Sequence, residues 1–81
     1  MTVPWVPSDE TLEFLISNGV NTTPEIVDYL HPGLNDWDRY MYRNKVATKL
    51  MRLRRRGIVR RCGKRDLSNG RHGVTIWEWC A

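Results

Sequence analysis

The spacing of hydrophobic residues along the chain changes once, near residue 57, from a helical to a strand-like period. Before that point, apolar residues recur every three or four positions, which predicts helices that bury one face. After it, β-branched and aromatic residues dominate two runs, 58–62 and 74–79, which predicts two strands. The pattern therefore predicts an α+β fold with three helices followed by a C-terminal β-hairpin.

Helix one is predicted for about residues 9–18. Ser8 is a good N-cap, the acidic residues after it suit the positive end of the helix dipole, and Asn18-Gly19 ends the pattern. The two prolines of residues 1–7 predict an extended N-terminal arm. We expect a single domain over residues 8–81, because 81 residues are too few for two domains.

Helix two is predicted for about residues 24–30, where Thr23 is a suitable N-cap and Pro24 fits the first helical position. Pro32 and Gly33 follow the predicted helix, and both residue types resist its continuation. The carboxylates of residues 1–38 are expected on the solvent-facing sides of the helices, where they solvate and cap them.

Helix three is the longest predicted helix, and its core face is a line of four residues: Tyr42, Val46, Leu50 and Leu53. Its end is well marked, because residues 54–56 are three arginines at the negative end of the dipole and Gly57 adopts a left-handed conformation easily. Two starts remain open. Either Asn35 caps a helix that begins at Asp36, or the helix begins later, near Tyr42.

The two strand-like runs bracket Ser68-Asn69-Gly70, a turn signal that predicts an antiparallel hairpin. That turn sets three cross-strand pairs: Arg61 with Glu78, Cys62 with Trp77, and Cys80 with Val59. The two cysteines then lie on opposite faces, so we expect reduced thiols and no disulfide. No pair among the cysteines and histidines has the spacing of a zinc site, so no metal is expected.

Charge divides the chain into two halves. Residues 1–38 contain seven carboxylates and no Lys or Arg, whereas residues 39–81 contain all thirteen basic residues and two carboxylates. The formal charges of the halves are therefore −7 and +11, for a total of +4. So strong a basic half favours a polyanionic partner, because cations placed on phosphates release condensed counterions. The alternative is a solvated basic surface that maintains solubility.

Catalytic motifs are absent: the chain has no Gly-rich phosphate loop, no H-E-x-x-H and no nucleophile elbow, so an enzyme is not expected. Four tryptophans invite a base-stacking role, but large aromatics in so small a domain are expected in or beside the core: Trp5, Trp37, Trp77 and Trp79. Without a long apolar run or a signal-peptide pattern, we expect a cytoplasmic protein.

Three blocks of the sequence resemble the winged helix-turn-helix family: residues 12–15 (LEFL), residues 22–27 (TTPEIV), and residues 46–59. The last block, of the form V-x3-L-x2-L-x3-G-[IL]-V, is the most specific. The likeness covers about residues 9–79 and is greatest to small archaeal or bacterial and phage transcription regulators. One departure is the segment from His31 to Met41, which is a turn or two longer than the usual link between helices two and three.

The resemblance implies a double-stranded DNA-binding protein, a small transcriptional regulator, with helix three (about 36–56) in the major groove and the hairpin (58–79) as the wing. Major-groove contacts are expected from Arg43, Asn44, Lys45, Thr48 and Lys49. Backbone contacts are expected from Arg39, Arg52, Arg55, Arg60 and Arg61. Wing contacts are expected from Lys64, Arg65, Arg71 and His72.

Two other classes of function stay open at this point. One is a winged-helix protein–protein interaction module whose basic face meets an acidic partner, and the other is an RNA-associated basic protein. A homodimer is possible through the arm, helix one or the last strand, and a protein partner is possible on the acidic half. No cofactor and no small-molecule ligand is expected, because the chain is too short for a sensor domain.

Overall fold

Residues 6–66 and 73–80 are described by the structure, a computed structural model. In this part of the chain, three helices precede a two-stranded antiparallel sheet, which confirms the predicted α+β layout. The elements are α1 (Asp9–Ser17), α2 (Thr23–Leu30), α3 (Asp36–Arg55), β1 (Val59–Asp66) and β2 (Gly73–Trp79). The predicted turn at residues 68–70 and the arm up to residue 5 lie outside the described residues.

The core joins one face of every helix to the start of the hairpin. α2 packs on α3, β2 packs on α1, and β1 contacts α3. The predicted stripe of α3 is confirmed, since its four residues are at most 1% exposed. The buried hydrophobic residues are Leu12, Leu15, Ile16, Ile26, Val27, Tyr42, Val46, Leu50, Leu53, Val59 and Trp77. Burial in this core raises the pKa of the Tyr42 hydroxyl.

Asn35 caps α3, which therefore takes the earlier of the two predicted starts. The backbone N–H of Asp38 donates to Asn35 Oδ1 (2.8 Å), and Asn35 Nδ2 donates to Asp38 Oδ2 (3.1 Å). Asp38 is only 5% exposed, so the expectation that every acidic residue of the first half faces solvent is wrong. Its carboxylate is buried because it closes this reciprocal cap.

Thr22, not the predicted Thr23, is the N-cap of α2. The backbone N–H of Glu25 donates to Thr22 Oγ1 (3.4 Å), and the same hydroxyl donates to Glu25 Oε1 (2.6 Å). The T-x-x-E spacing of a capping box starts at Thr22, so α2 begins one residue earlier than predicted.

Gly57 ends α3 as predicted. Its φ angle of 76° lies in the left-handed region, and its N–H donates to Arg54 O (3.0 Å) while Ile58 N donates to Leu53 O (2.9 Å). These two bonds form a Schellman motif and turn the chain from α3 into the hairpin. The hairpin is thereby placed directly beside α3.

The hairpin register differs from the prediction by one residue near α3. Arg60, not Arg61, lies opposite Glu78, and Arg61 lies opposite Trp77. A bulge between Arg61 and Lys64 shifts the pairing, and beyond it Lys64 pairs with Thr75 as the predicted turn requires. The predicted pairs of Cys62 with Trp77 and of Cys80 with Val59 are therefore wrong, because Trp77 faces Arg61 and Val59 faces Trp79.

Both cysteines, Cys62 and Cys80, are free and exposed. The edge of β2 that does not pair with β1 also forms a hydrogen bond, since the backbone N–H of Trp77 donates to the carbonyl of Asn21 (2.8 Å). Residue 21, between α1 and α2, thus extends the sheet by one hydrogen bond.

Within residues 6–66 and 73–80, no helix combines the length and apolar composition needed to span a membrane.

Candidate functional site

The side of α3 opposite the core is solvent-exposed along four turns. Because a helix rotates about 100° per residue, four exposed and uncharged side chains lie in one stripe there. We call this stripe the outer ridge, and its residues are Trp37, Tyr40, Asn44 and Thr48. The Thr48 hydroxyl donates to the Asn44 carbonyl (2.9 Å), so its hydrogen is already used and its methyl group remains available.

Basic residues lie on both flanks of the outer ridge. Arg43 is exposed on the flank that faces the hairpin, whereas Lys45 and Arg52 are exposed on the flank that faces Val6. Arg55 continues the ridge in the last turn. From Trp37 to Thr48, uncharged residues therefore form the centre of this surface and cations form its two sides, whereas in the last turn a cation occupies the centre.

A cleft of about 400 Å³ separates α3 from the hairpin and the start of α2. Tyr40, Arg43 and Asn44 line it on the side of α3, and Arg61 lines it on the side of the hairpin. Arg61 Nη2 lies 3.7 Å from Met51 Sδ, and both residues line the same cleft. The cleft thus presents one arginine from each wall.

Other basic residues form ion pairs with the acidic half of the chain. Lys49 Nζ lies 2.6 Å from Asp9 Oδ1, Arg65 Nη1 lies 2.8 Å from Glu25 Oε1, and Arg39 pairs with Asp28. We call these three pairs the seam, since each joins the two electrostatic halves. The hydrogen bond from Lys49 lowers the pKa of the Asp9 carboxyl, and the charges of Lys49 and Arg56 lower it further.

Arg60 forms a fourth pair within the hairpin. Its Nη2 and Nε atoms lie 2.5 and 2.6 Å from Glu78 Oε1, and this bond raises the pKa of the Arg60 guanidinium. Among the side chains that the structure describes, eight other cations have no carboxylate within 4.0 Å. They are Arg43, Lys45, Arg52, Arg54, Arg55, Arg56, Arg61 and Lys64.

The structure brings together part of the predicted site. Of the five predicted major-groove residues, four are exposed on the outer side of α3, whereas Lys49 is held by Asp9. Of the five predicted backbone contacts, three are exposed without a carboxylate partner in the described part: Arg52, Arg55 and Arg61. The other two, Arg39 and Arg60, are paired. Of the wing residues, Lys64 is exposed and Arg65 is paired, while Arg71 and His72 lie outside the described residues.

Two aromatic residues of the surface were not among the predicted contacts. Trp37 is 69% exposed and Tyr40 is 56% exposed, so the expectation that Trp37 lies in or beside the core is wrong. Trp77 is buried and Trp79 is half-buried, as expected, and Trp5 lies outside the described residues. Helical spacing supplies the missed signal: once α3 begins at Asp36, Trp37 falls opposite the buried stripe.

No protein-family model, curated protein or solved structure matches this chain. The candidate site therefore rests on the geometry of its own residues.

Proposed function

We propose that this chain is a winged-helix protein that binds double-stranded DNA, as a small transcriptional regulator. The order of the elements supports this: α2 packs on α3, and the hairpin follows α3 after a tight Schellman turn. In winged-helix proteins such a third helix enters the major groove and the hairpin lies beside it.

The observation that carries the proposal is the charge pattern around the outer ridge. B-DNA's major groove is about 12 Å wide, with base edges on its floor and phosphates along both walls. A helix that enters it directs its ridge at the bases and its flanks at the phosphates. α3 has an uncharged ridge with Arg43 on one flank and with Lys45 and Arg52 on the other, which suits both surfaces.

The cleft between α3 and the hairpin supplies a path for one DNA strand. Arg43 and Arg61 on its two walls have no carboxylate partner in the described part of the chain, so their charges are available to a phosphate. Thr23, in the first turn of α2, also lines the cleft, and the positive end of a helix dipole favours an anion there. We assign Arg43 and Arg61 to the backbone and Asn44 and Thr48 to the bases.

Fluorescence anisotropy of a random-sequence duplex of about 25 base pairs, titrated at several salt concentrations, tests this proposal. If the unpaired cations around the ridge meet four or five phosphates, log K falls with log salt at a slope of about −4, since each contact contributes about −0.9. Duplex RNA of equal length should compete poorly, because its deep, narrow major groove does not admit a helix.

Three results would contradict the proposal. If no duplex binds at about 50 mM salt, where nonspecific attraction is strong, the basic surface does not bind DNA, and a protein partner becomes the leading alternative. A slope near zero would show that phosphates are not contacted. Equal competition by duplex RNA would assign the surface to RNA instead.

A further inference from the structure

Two exposed aromatic rings lie side by side at the beginning of α3. The ring centroids of Trp37 and Tyr40 are 6.1 Å apart and the ring planes are inclined by 32°. Since 69% of Trp37 and 56% of Tyr40 are exposed, both rings present most of their apolar surface to solvent. The two rings form one contiguous apolar patch, and such a patch, unlike a single exposed residue, indicates a contact with another molecule.

Among the described residues, the first turn of α3 (residues 36–40) supplies no cation that is available to a phosphate. Between residues 36 and 40, the only basic residue is Arg39, and it pairs with Asp28. Asp36 is an exposed carboxylate, which repels a phosphate. The aromatic pair therefore differs from the middle of α3, where the flanks are basic, because neither ring brings a positive charge to a phosphate.

The pair is continuous with the surface that we assign to the bases. Trp37 and Tyr40 are the first two residues of the outer ridge, and Tyr40 also lines the cleft beside Arg43 and Asn44. A straight helix whose ridge faces the groove floor at Asn44 directs the preceding turn at the same floor, one or two base pairs further along. On that floor, the C5-methyl group of thymine is the apolar group that a base edge offers.

We propose that Trp37 and Tyr40 are specificity-determining residues that contact thymine methyl groups at one end of the DNA site. The inference rests on the proposed DNA binding and adds a sequence preference to it. The reading surface of α3 is then mainly aromatic and uncharged, while its arginines and lysines contact the backbone. Replacement of the two rings should change which sequences are preferred without changing the number of phosphate contacts.

The test begins with the wild-type protein and needs no substitution. A preferred duplex is selected from a random pool, and each thymine in it is then replaced in turn by deoxyuridine, which lacks only the methyl group. We expect replacement at one or two adjacent positions to weaken binding about fourfold each, the value for one methyl group removed from water. A sensitive position elsewhere in the site, such as a thymine beneath the Thr48 methyl group, should remain sensitive when both rings are removed.

Trp37→Ala/Tyr40→Ala should abolish the difference between thymine and deoxyuridine at those positions, while the salt dependence on a random duplex stays unchanged. Both rings are exposed, so the variant should fold, and a thermal unfolding temperature close to that of the wild type would verify this. Phe14→Ala and Tyr29→Ala are matched controls, because each is 61% exposed but lies on α1 or α2, outside the ridge. Both controls should keep the thymine preference.

The possible results separate the inference from the proposed function. If the wild type binds DNA with the expected salt dependence but deoxyuridine changes nothing, the thymine contact is wrong and DNA binding stands. If the double variant keeps the wild-type preference, the aromatic pair serves another contact, such as a protein partner, and the inference is again wrong. If the wild type binds no duplex, both proposals fail together.

Discussion

The outer side of α3 and the seam both contain arginines and lysines, but in the described structure those of the seam are paired with carboxylates and those of the outer side are not. Along the seam, Arg39, Lys49 and Arg65 are each paired with a carboxylate of the acidic half. On the outer side, Arg43 and Arg52 have no such partner among the described residues. The +11 charge of the second half is therefore divided between two uses, and only part of it is available to a ligand.

The seam pairs hold the halves together only weakly. Their side chains are between 29% and 50% exposed, and such surface pairs contribute about 0–1 kcal/mol each. The unpaired cations repel one another, and the dipole at the end of α3 offsets this only for those of the last turn. A cluster of this kind is stabilised when an anion binds to it, which is the use we propose.

The largest effect is expected from reversal of charge on the outer side. Arg43→Glu/Arg52→Glu removes two phosphate contacts and adds two repulsive charges, so affinity for a random duplex at about 100 mM salt should fall by more than 100-fold. Thermal unfolding should change little, because neither arginine has an ion-pair partner in the described structure. A change of less than tenfold in affinity would show that DNA binds to a different surface from the outer side of α3.

A gain of affinity is expected when a seam cation is released. Glu25→Gln keeps the contact with Thr22 but removes the charge that holds Arg65, whose cross-strand partner Val74 lines the cleft. Binding to a random duplex should strengthen on the order of fivefold, with a slope steeper by about 0.9. Glu13→Gln on α1 makes the same change of charge without releasing a described partner and should have a smaller effect. Weaker binding by Glu25→Gln would instead assign the pair to positioning the hairpin.

A modest loss of stability, without a loss of binding, is expected at the opposite end of the seam. Arg39→Gln removes the pair with Asp28, whose members are 35% and 50% exposed, and should lower the free energy of unfolding by about 0.2–1 kcal/mol. Urea unfolding measures this loss, and duplex titration should show an unchanged salt slope. Arg43→Gln, the matched control, should leave the free energy of unfolding unchanged and make the salt slope shallower. A reduced slope for Arg39→Gln would contradict the division between seam and outer side.

The smallest effect is a dependence of stability on pH at Asp9. Its folded pKa lies below the ordinary value of 3.8 because Lys49 donates a hydrogen bond to the carboxylate. The unfolded chain therefore takes up the proton first as pH falls, and the stabilisation is present above about pH 4 and lost as pH falls through the folded pKa. Urea unfolding between pH 7 and pH 2 should show a steeper acid loss for the wild type than for Lys49→Gln. Lys45→Gln, the control, should lose stability with falling pH as the wild type does. If stability depends on pH equally in all three proteins, the pair of Asp9 with Lys49 does not stabilise the fold.

Local rules predict much of the fold from the sequence. The core stripe and the end of α3 at Gly57 follow from helical spacing and from the left-handed preference of glycine, and the structure confirms both. Thr22 and Thr23 are adjacent and equally able to cap, so the choice depends on the contact with Glu25. The bulge between Arg61 and Lys64 shifts the register, and strand pairing alone does not reveal it.

The candidate site is less predictable, because a count of charges does not show which cations are paired. The pairs of Asp9 with Lys49 and of Glu25 with Arg65 join residues that are 40 positions apart, and only the packed fold brings them together. The exposure of Trp37 is predictable from the wheel of α3, but only after the start at Asp36 is known. Tertiary pairing, rather than composition, therefore decides which basic residues remain available.

The most direct test compares two variants that each lose three positive charges. One removes cations of the outer side (Arg43→Gln/Arg52→Gln/Arg55→Gln), and the other removes those of the seam (Arg39→Gln/Lys49→Gln/Arg65→Gln). For binding to a random duplex, the slope of log K against log salt should become shallower by about 2.7 in the first variant and by less than about 1 in the second. Equal losses in the two variants, or a larger loss in the seam variant, would contradict the account.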